Sequence, residues 1–167
     1  MTEIREIASG LEFPEGPIAM SDGSVLVVEI KRGTLTRVRH DGGKEIVAKT
    51  GGGPNGAAVG PDGKVYVCNN GGFEWHDLGG MSMPGDQPDD YAGGSIQRVD
   101  LETGAVEIVY TECDGIPLKG PNDIVFDSQG GFWFTDLGKS RARDRDRTGI
   151  FYALPDGSSI REMVFPL

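Results

Sequence analysis

Short apolar runs alternate with polar turns along the whole chain, and the same pattern returns three times. Each repeat opens with a proline and an oxygen-bearing side chain, has a turn glycine eight residues after that side chain, and continues into an apolar run. The three openings are Pro14-Glu15-Gly16, Pro54-Asn55-Gly56 and Pro121-Asn122-Asp123. Short apolar runs between glycine, proline and aspartate turns are typical of β-strands.

Every repeat divides into four short strands joined by tight turns. The predicted strands are 16–20, 24–29, 34–39 and 44–48, then 56–60, 64–69, 95–99 and 105–109, then 123–127, 131–136, 149–154 and 160–165. Four antiparallel strands in each of several repeats are the sequence pattern of a β-propeller. A β-sandwich is the alternative, but it does not predict one polar residue at the head of every first strand. We therefore predict an all-β fold, a single β-propeller segment over residues 1–167 with blades at about 11–50, 51–118 and 119–167.

Charge and composition exclude several classes of function. The formal net charge of −10 leaves no basic stripe of the kind that nucleic acid requires. The arginines between positions 141 and 147 alternate with aspartates, which predicts a solvated loop. No apolar run has transmembrane length and the first residues do not resemble a signal peptide, so we expect a cytoplasmic protein with no membrane partner. Cys68 and Cys113 lack zinc-type spacing and are expected to be reduced thiols.

The openings and the ends of the second strands are expected to meet at one face. The first two strands of a repeat are antiparallel, so the opening lies beside the residue fourteen positions later. The predicted mouth therefore combines Glu15, Asn55 and Asn122 with Glu29, Asn69 and Asp136. The long connection from Asn70 to Gly94 opens at the same face and carries Trp75 and His76. Such a loop either covers an apolar part of a ligand or packs against a neighbouring blade.

The openings suggest a metal site. Glu15 and the asparagines are hard oxygen donors with no histidine or cysteine beside them, which suits Ca²⁺, Mg²⁺ or Mn²⁺ better than a structural zinc ion. For Asn55 alone, the alternative is that Pro-Asn-Gly simply forms a turn. A catalytic triad would have to use His40 or His76, and neither lies in a nucleophile elbow.

Three segments together resemble the SMP-30/gluconolactonase/LRE-like family across the whole chain. They are Leu-Glu-Phe-Pro-Glu-Gly-Pro at 11–17, Pro-Asn-Gly at 54–56, and Gly-Pro-Asn-Asp-Ile-Val-Phe-Asp at 120–127 followed by Gly-Phe-Trp-Phe-Thr-Asp at 131–136. The resemblance implies a six-bladed propeller with a divalent metal at its axis and, in many members, hydrolysis of lactones. It implies that Glu15 is the first metal ligand and that Asn122 binds the metal, or its bound water and the substrate. In sugar-acid-type members an arginine stands two residues before that asparagine, where this chain has Gly120.

These observations together predict a metal-dependent hydrolase that opens a lactone ring. The metal residues are Glu15 and Asn122, the ion is one Ca²⁺ by first expectation, and Mg²⁺, Mn²⁺, Zn²⁺ or Fe are the other possibilities. Within this chain, Asp136 is the nearest candidate to activate water. The predicted substrate pocket is formed by Asn55, Asn69, Asn70, Trp75 and His76.

Two other functions and three modes of assembly stay open at this stage. The function alternatives are a phosphotriesterase-like hydrolase and a non-catalytic Ca²⁺-binding propeller module. Only three of the expected six blades are present, so the partners are expected to be a small lactone and the remaining blades. Those blades come from the same, longer chain or from a second copy, unless three repeats make an unusual small fold.

Overall fold

The computed structural model describes residues 4–167, which form three four-stranded antiparallel sheets and three small hairpins. Strands are numbered in chain order. The first sheet contains β1 (Pro14–Ala19), β2 (Val25–Glu29), β3 (Thr34–Val38) and β4 (Lys44–Lys49). The second contains β5 (Pro54–Val59), β6 (Val65–Asn69), β9 (Ser95–Val99) and β10 (Val106–Tyr110). The third contains β13 (Pro121–Phe126), β14 (Phe132–Asp136), β17 (Ile150–Ala153) and β18 (Ile160–Val164).

The small hairpins lie in the connections outside these sheets. They are β7 (Trp75–Leu78) with β8 (Met81–Pro84), β11 (Glu112–Cys113) with β12 (Ile116–Pro117), and β15 (Ser140–Arg141) with β16 (Asp144–Arg145). In the last one, Arg141 pairs with Asp144 and Asp146, as expected of alternating charges in a surface loop. Cys68 and Cys113 are buried and free. No helix with the length and hydropathy of a membrane span occurs among the described residues.

The twelve predicted strands are all present, but the first strand of each repeat begins two residues earlier than predicted. The proline of each opening already pairs with the last residue of the second strand, as in Pro14 opposite Glu29. A shift in register follows immediately after each proline, between Glu15 and Ile18 in the first repeat. A bulge of this kind lets proline and a turn-like dipeptide sit inside a ladder and redirects the side chains at that point.

The second sheet is buried on both faces, and alternate residues of β6 belong to two different cores. Val65 and Val67 pack with residues of the first sheet, whereas Tyr66 and Cys68 pack with residues of the third. All four side chains are fully buried. The period of two along a strand therefore stacks the three sheets face to face in chain order.

The first strands lie side by side at the inner edges of the sheets, β1 against β5 and β5 against β13. At the openings their backbones approach so closely that only glycine fits. A Cβ on Gly16 would lie 2.9 Å from the carbonyl oxygen of Asn55, and one on Gly56 would lie 2.5 Å from that of Asn122. The spacing of the three openings is thus fixed by contact between backbones.

Candidate metal and substrate site

The three openings converge on one cavity of about 340 Å³, here called the axial cavity. Its polar walls are Glu15, Asn55, Asn122 and Asp123, and the remaining walls come from Gly16, Pro17, Gly56 and Ala57. Glu15 and Asp123 are exposed, and the two asparagines are half-buried. The structure therefore brings together the residues predicted to bind metal, Glu15 and Asn122, and places Asn55 beside them.

The donors around the axial cavity fit a hard divalent cation. Two carboxylates and two amide groups supply oxygen atoms, which Ca²⁺ and Mg²⁺ prefer. Residues 4–167 contain no group of three or more His, Cys, Asp or Glu side chains placed to hold a metal. An ion at this site would therefore depend on the asparagine oxygens as well as on Glu15.

Asp136 was predicted to lie at the mouth, but the structure uses its side chain to hold the backbone before the third opening. One carboxylate oxygen accepts hydrogen bonds from the Gly120 and Gly138 amides at 2.7 and 2.8 Å, and the other accepts one from Lys119 at 2.7 Å. The side chain is buried and is not part of the axial cavity wall. It borders instead a separate, largely apolar cavity of about 290 Å³ that Phe151 and Phe165 also line.

Asn69 occupies the equivalent place in the second repeat and has the same role. Its Oδ1 accepts hydrogen bonds from the amides of Gly53 and Gly71 at 2.9 and 3.0 Å, and its Nδ2 donates to the carbonyl of Gly51 and to Gln97. The side chain is buried and fully bonded, so the expectation that Asn69 lines the pocket is corrected.

Glu29 completes the series in the first repeat. Its carboxylate accepts hydrogen bonds from the Glu12 amide at 2.6 Å, the Thr36 hydroxyl at 2.6 Å and Arg32 at 2.9 Å. Burial alone would raise the pKa of Glu29, but these hydrogen bonds and the charge of Arg32 outweigh burial and lower it. The residue fourteen positions after each opening is therefore a clamp on the segment that leads into that opening.

A second cavity of about 160 Å³ lies beside the axial cavity and shares Asn55 and Asn122 with it. We call it the side cavity. Asn70, a predicted substrate-pocket residue, lines this cavity, and its Oδ1 accepts hydrogen bonds from the Gly72 amide and from Lys139. The side cavity is thus positioned to receive a part of any ligand held at the axis.

Lys139 is the main residue of the side cavity that sequence reasoning missed. Only 2% of its surface is exposed, and its ammonium donates to the Gly72 carbonyl and, at 3.2 Å, to Asn70. The ammonium also lies 4.1 Å from the centre of the Phe73 ring. Burial lowers the pKa of Lys139 to about 8, against the opposing influence of Asp136 and Asp146. A lysine three residues after a strand carries no sign in the sequence that it is buried.

The connection between β6 and β9 packs against the segments that flank β1 and β2 in the first repeat. The Trp75 ring lies 5.2 Å from that of Phe13, and Lys31 donates a 2.6 Å hydrogen bond to Ser82. His76 is exposed on β7, and neither Trp75 nor His76 belongs to the walls of the axial or side cavity. Of the two alternatives for this loop, packing against a neighbouring sheet is the one that the structure shows for Trp75.

Gly120 has no room for a larger side chain. A Cβ at this position would lie 2.5 Å from the carbonyl oxygen of Gly138. An arginine could be accommodated here only if the backbone after β14 moved. The local packing of this chain therefore leaves no space at position 120 for the arginine that the resemblance associates with sugar-acid-type members.

Comparisons with known proteins agree with this architecture. The family described as SMP-30/Gluconolactonase/LRE-like region matches residues 13–167. A gluconolactonase from Zymomonas mobilis is 27% identical in an alignment 177 residues long, gaps included, which covers 93% of this chain and 44% of that protein. Lactonase drp35 from Staphylococcus saprophyticus is 28% identical over 158 residues, which cover 93% of this chain and 42% of that protein. The chain thus spans less than half the length of these curated relatives.

The solved structures extend the agreement to the fold. The structure of a Xanthomonas campestris gluconolactonase matches with a TM-score of 0.68 at 19% identity, over 92% of this chain and 48% of that one. At this identity the likeness concerns the fold alone. The predicted all-β propeller fold is confirmed, with this chain covering about half of the propeller.

Proposed function

Because this chain belongs to the SMP-30/gluconolactonase/LRE-like family, we propose that it forms part of a metal-dependent hydrolase that opens lactone rings. The observation that carries the proposal is the convergence of Glu15, Asn55 and Asn122 on one axial cavity. The relatives named gluconolactonase and lactonase support the substrate class.

Glu15 and Asn122 are the proposed metal residues, with Ca²⁺ as the first candidate and Mg²⁺, Mn²⁺, Zn²⁺ or Fe as the others. When bound, such an ion supplies a Lewis acid for an ester carbonyl. Asn55 contributes an amide that can orient the lactone ring from the adjoining wall. Asp123 is exposed at the same cavity. Among residues 4–167 its carboxylate accepts a hydrogen bond only from the Ile124 amide, so it is available to take a proton from water. We assign Asp136 to the backbone clamp and give it no part in this step.

Substitution of Glu15 tests the proposal. In Glu15→Gln, one ligand charge is lost from an exposed side chain, so we expect the fold to persist while metal affinity and hydrolysis of γ- and δ-lactones both fall. Asp123→Asn is expected to lower kcat by about 100-fold or more while metal stays bound. Calorimetric metal titration and proton release on hydrolysis are the measurements. Full lactonase activity in Glu15→Gln with metal still bound would refute the scheme.

A parallel screen with a fluorophosphate separates the proposal from its nearest rival. Hydrolysis of the fluorophosphate without hydrolysis of any lactone would identify a phosphotriesterase-like enzyme. Metal binding without turnover of either substrate would identify a non-catalytic binding propeller. Both outcomes contradict lactone hydrolysis but leave the metal site intact.

We also propose that further sheets complete the ring, either from additional chain or from a second copy. The outer face of the third sheet supports this, because Val125 is 61% exposed there beside Trp133 and Ile150. Denaturing and native mass spectrometry of the purified protein measures both possibilities. A chain longer than the 17.8 kDa of this sequence, or a native dimer, is expected, and a native monomer of 17.8 kDa would contradict the proposal.

A further inference from the structure

The side cavity contains a buried cation without an anionic partner. The Lys139 ammonium is surrounded by the Gly72 carbonyl, Asn70 and the rings of Phe73 and Tyr91. Within residues 4–167, no carboxylate oxygen lies within salt-bridge distance of it. An ammonium has three donors, of which these hydrogen bonds use two. Buried charges in proteins are normally paired, so this one calls for an acceptor from outside the chain.

Asn70, whose side chain also lines the cavity, supplies a second unsatisfied donor. Asn70 is 2% exposed, and its Nδ2 is buried without a hydrogen-bond partner in the described part of the chain. The orientation of the amide is set by its Oδ1, which already receives the Gly72 amide and Lys139. Because both Asn70 and Lys139 line the side cavity, one ligand group could satisfy both donors.

We propose that the side cavity binds a carboxylate carried by the lactone substrate, with Lys139 Nζ and Asn70 Nδ2 as its donors. A carboxylate accepts several charge-assisted hydrogen bonds and supplies the missing negative charge. Arg145 and Asp86 also line the cavity with opposite formal charges, so the buried lysine decides the preference for an anion. A volume of about 160 Å³ corresponds to roughly five water molecules, enough for a carboxylate and the carbon that bears it.

This inference rests on the proposed function, because it requires the lactone ring to lie in the axial cavity and the carboxylate of the substrate to lie in the side cavity. The two cavities share Asn55 and Asn122, so a short substrate can reach both. The substrate class that fits is an acidic lactone, whose ring opening gives a hydroxy dicarboxylate. No covalent step beyond ester hydrolysis is required.

Matched substrates test the assignment on the full-length protein. We expect γ-butyrolactone-γ-carboxylate to be hydrolysed with a kcat/KM about tenfold or more above that of γ-butyrolactone, the factor expected of one hydrogen bond to a charged group. Lys139→Met should abolish the preference, mainly through KM for the acidic lactone, and change kcat/KM for the neutral lactone by a clearly smaller factor. Lys139→Gln keeps a donor but loses the charge and should behave in the same way. The exposed Lys49→Met is the matched control and should retain the preference.

Two outcomes would overturn the inference. One is a wild-type protein that does not prefer the acidic lactone, and the other is an equal loss on both lactones in the Lys139 variants. In either case lactone hydrolysis itself would still stand.

A binding measurement separates the inference from the proposed function. Calorimetric titration with 2-hydroxyglutarate, the ring-opened product, is expected to show binding that Lys139→Met weakens about tenfold or more. If neither lactone is hydrolysed but this binding and its dependence on Lys139 are found, the proposed function fails and the carboxylate site stands. Absence of both turnover and binding would overturn both.

Discussion

Replacing Lys139 by methionine should stabilise the fold at neutral pH, and the gain should disappear in alkali. The lysine is buried against Phe73 and Tyr91 and lacks a carboxylate within salt-bridge distance in the described chain. Methionine has a similar length and no charge. Apolar replacements of buried charges are often neutral or stabilising, because the cost of removing the charge from water is no longer incurred.

The magnitude follows from the pKa of Lys139, which burial lowers from 10.5 to about 8. Each pH unit of such a fall corresponds to about 1.4 kcal/mol, so holding the ammonium in the fold costs about 3 kcal/mol at pH 7. Below pH 8 the lysine is protonated in both the folded and the unfolded protein, and the full cost applies. Between pH 8 and 10.5 the folded protein releases the proton first, so its stability rises with pH. Above pH 10.5 the cost is gone.

Urea unfolding of the wild type and of Lys139→Met at several pH values measures this directly. The difference in the free energy of unfolding should favour the variant most below pH 8 and shrink by about 1.4 kcal/mol for each pH unit up to 10.5. The hydrogen bonds lost to Gly72 and Asn70 lower the whole difference by about 1 kcal/mol each without changing its slope. Lys49→Met, at an exposed position on β4, should show no comparable slope. A difference that does not vary with pH would refute the burial of the ammonium.

Two further substitutions examine the clamp and the inner strands. Asp136→Asn leaves one acceptor oxygen for three amide donors, so it should lower the free energy of unfolding by about 2 kcal/mol or more. The kcat per folded molecule should not change. A loss of kcat at unchanged stability would instead indicate a catalytic role for Asp136. Gly56→Ala places a Cβ 2.5 Å from the Asn122 carbonyl and should destabilise by about 1 to 3 kcal/mol and weaken metal binding. In Gly43→Ala the nearest atom is the flexible Asp41 carboxylate, so the same measurements should change little, and equal effects in both variants would contradict the backbone contact.

The sequence predicted the sheets well because strands and turns depend on local pattern. The apolar runs, such as that of β6, and the turn glycines placed the strands within two residues of their observed bounds. The openings were also predicted correctly as a cluster, because repetition about an axis brings equivalent positions together. The roles of the residues fourteen positions later were not predicted correctly. Asn69 and Asp136 lie at the expected end of the sheet, but their side-chain oxygens accept hydrogen bonds from backbone amides and do not line the axial cavity. Which side chain accepts the hydrogen bonds of these amides depends on the path of the preceding loop, and a local sequence pattern does not predict that path.

Lys139 escaped prediction for a different reason. Its burial arises from the connection between β6 and β9, which brings Phe73 and Tyr91 over it from about fifty or more positions earlier in the sequence. Long-range covering of this kind leaves no periodic signal near the lysine itself. The Trp75 ring packs against Phe13, which is also far away in the sequence. Because such a contact leaves no local signal, the sequence analysis placed Trp75 in the substrate pocket instead.

The glycines that separate the inner strands have a consequence for how this site can diversify. Because Gly16 and Gly56 fix the distance between openings through main-chain contact, the dimensions of the axial cavity are independent of the side chains that point into it. Glu15, Asn55 or Asn122 could be exchanged one at a time, altering affinity for an ion or a substrate, while the frame around them keeps its size. A scaffold of this type allows new ligand preferences to arise by single substitutions, without a matching change in either hydrophobic core.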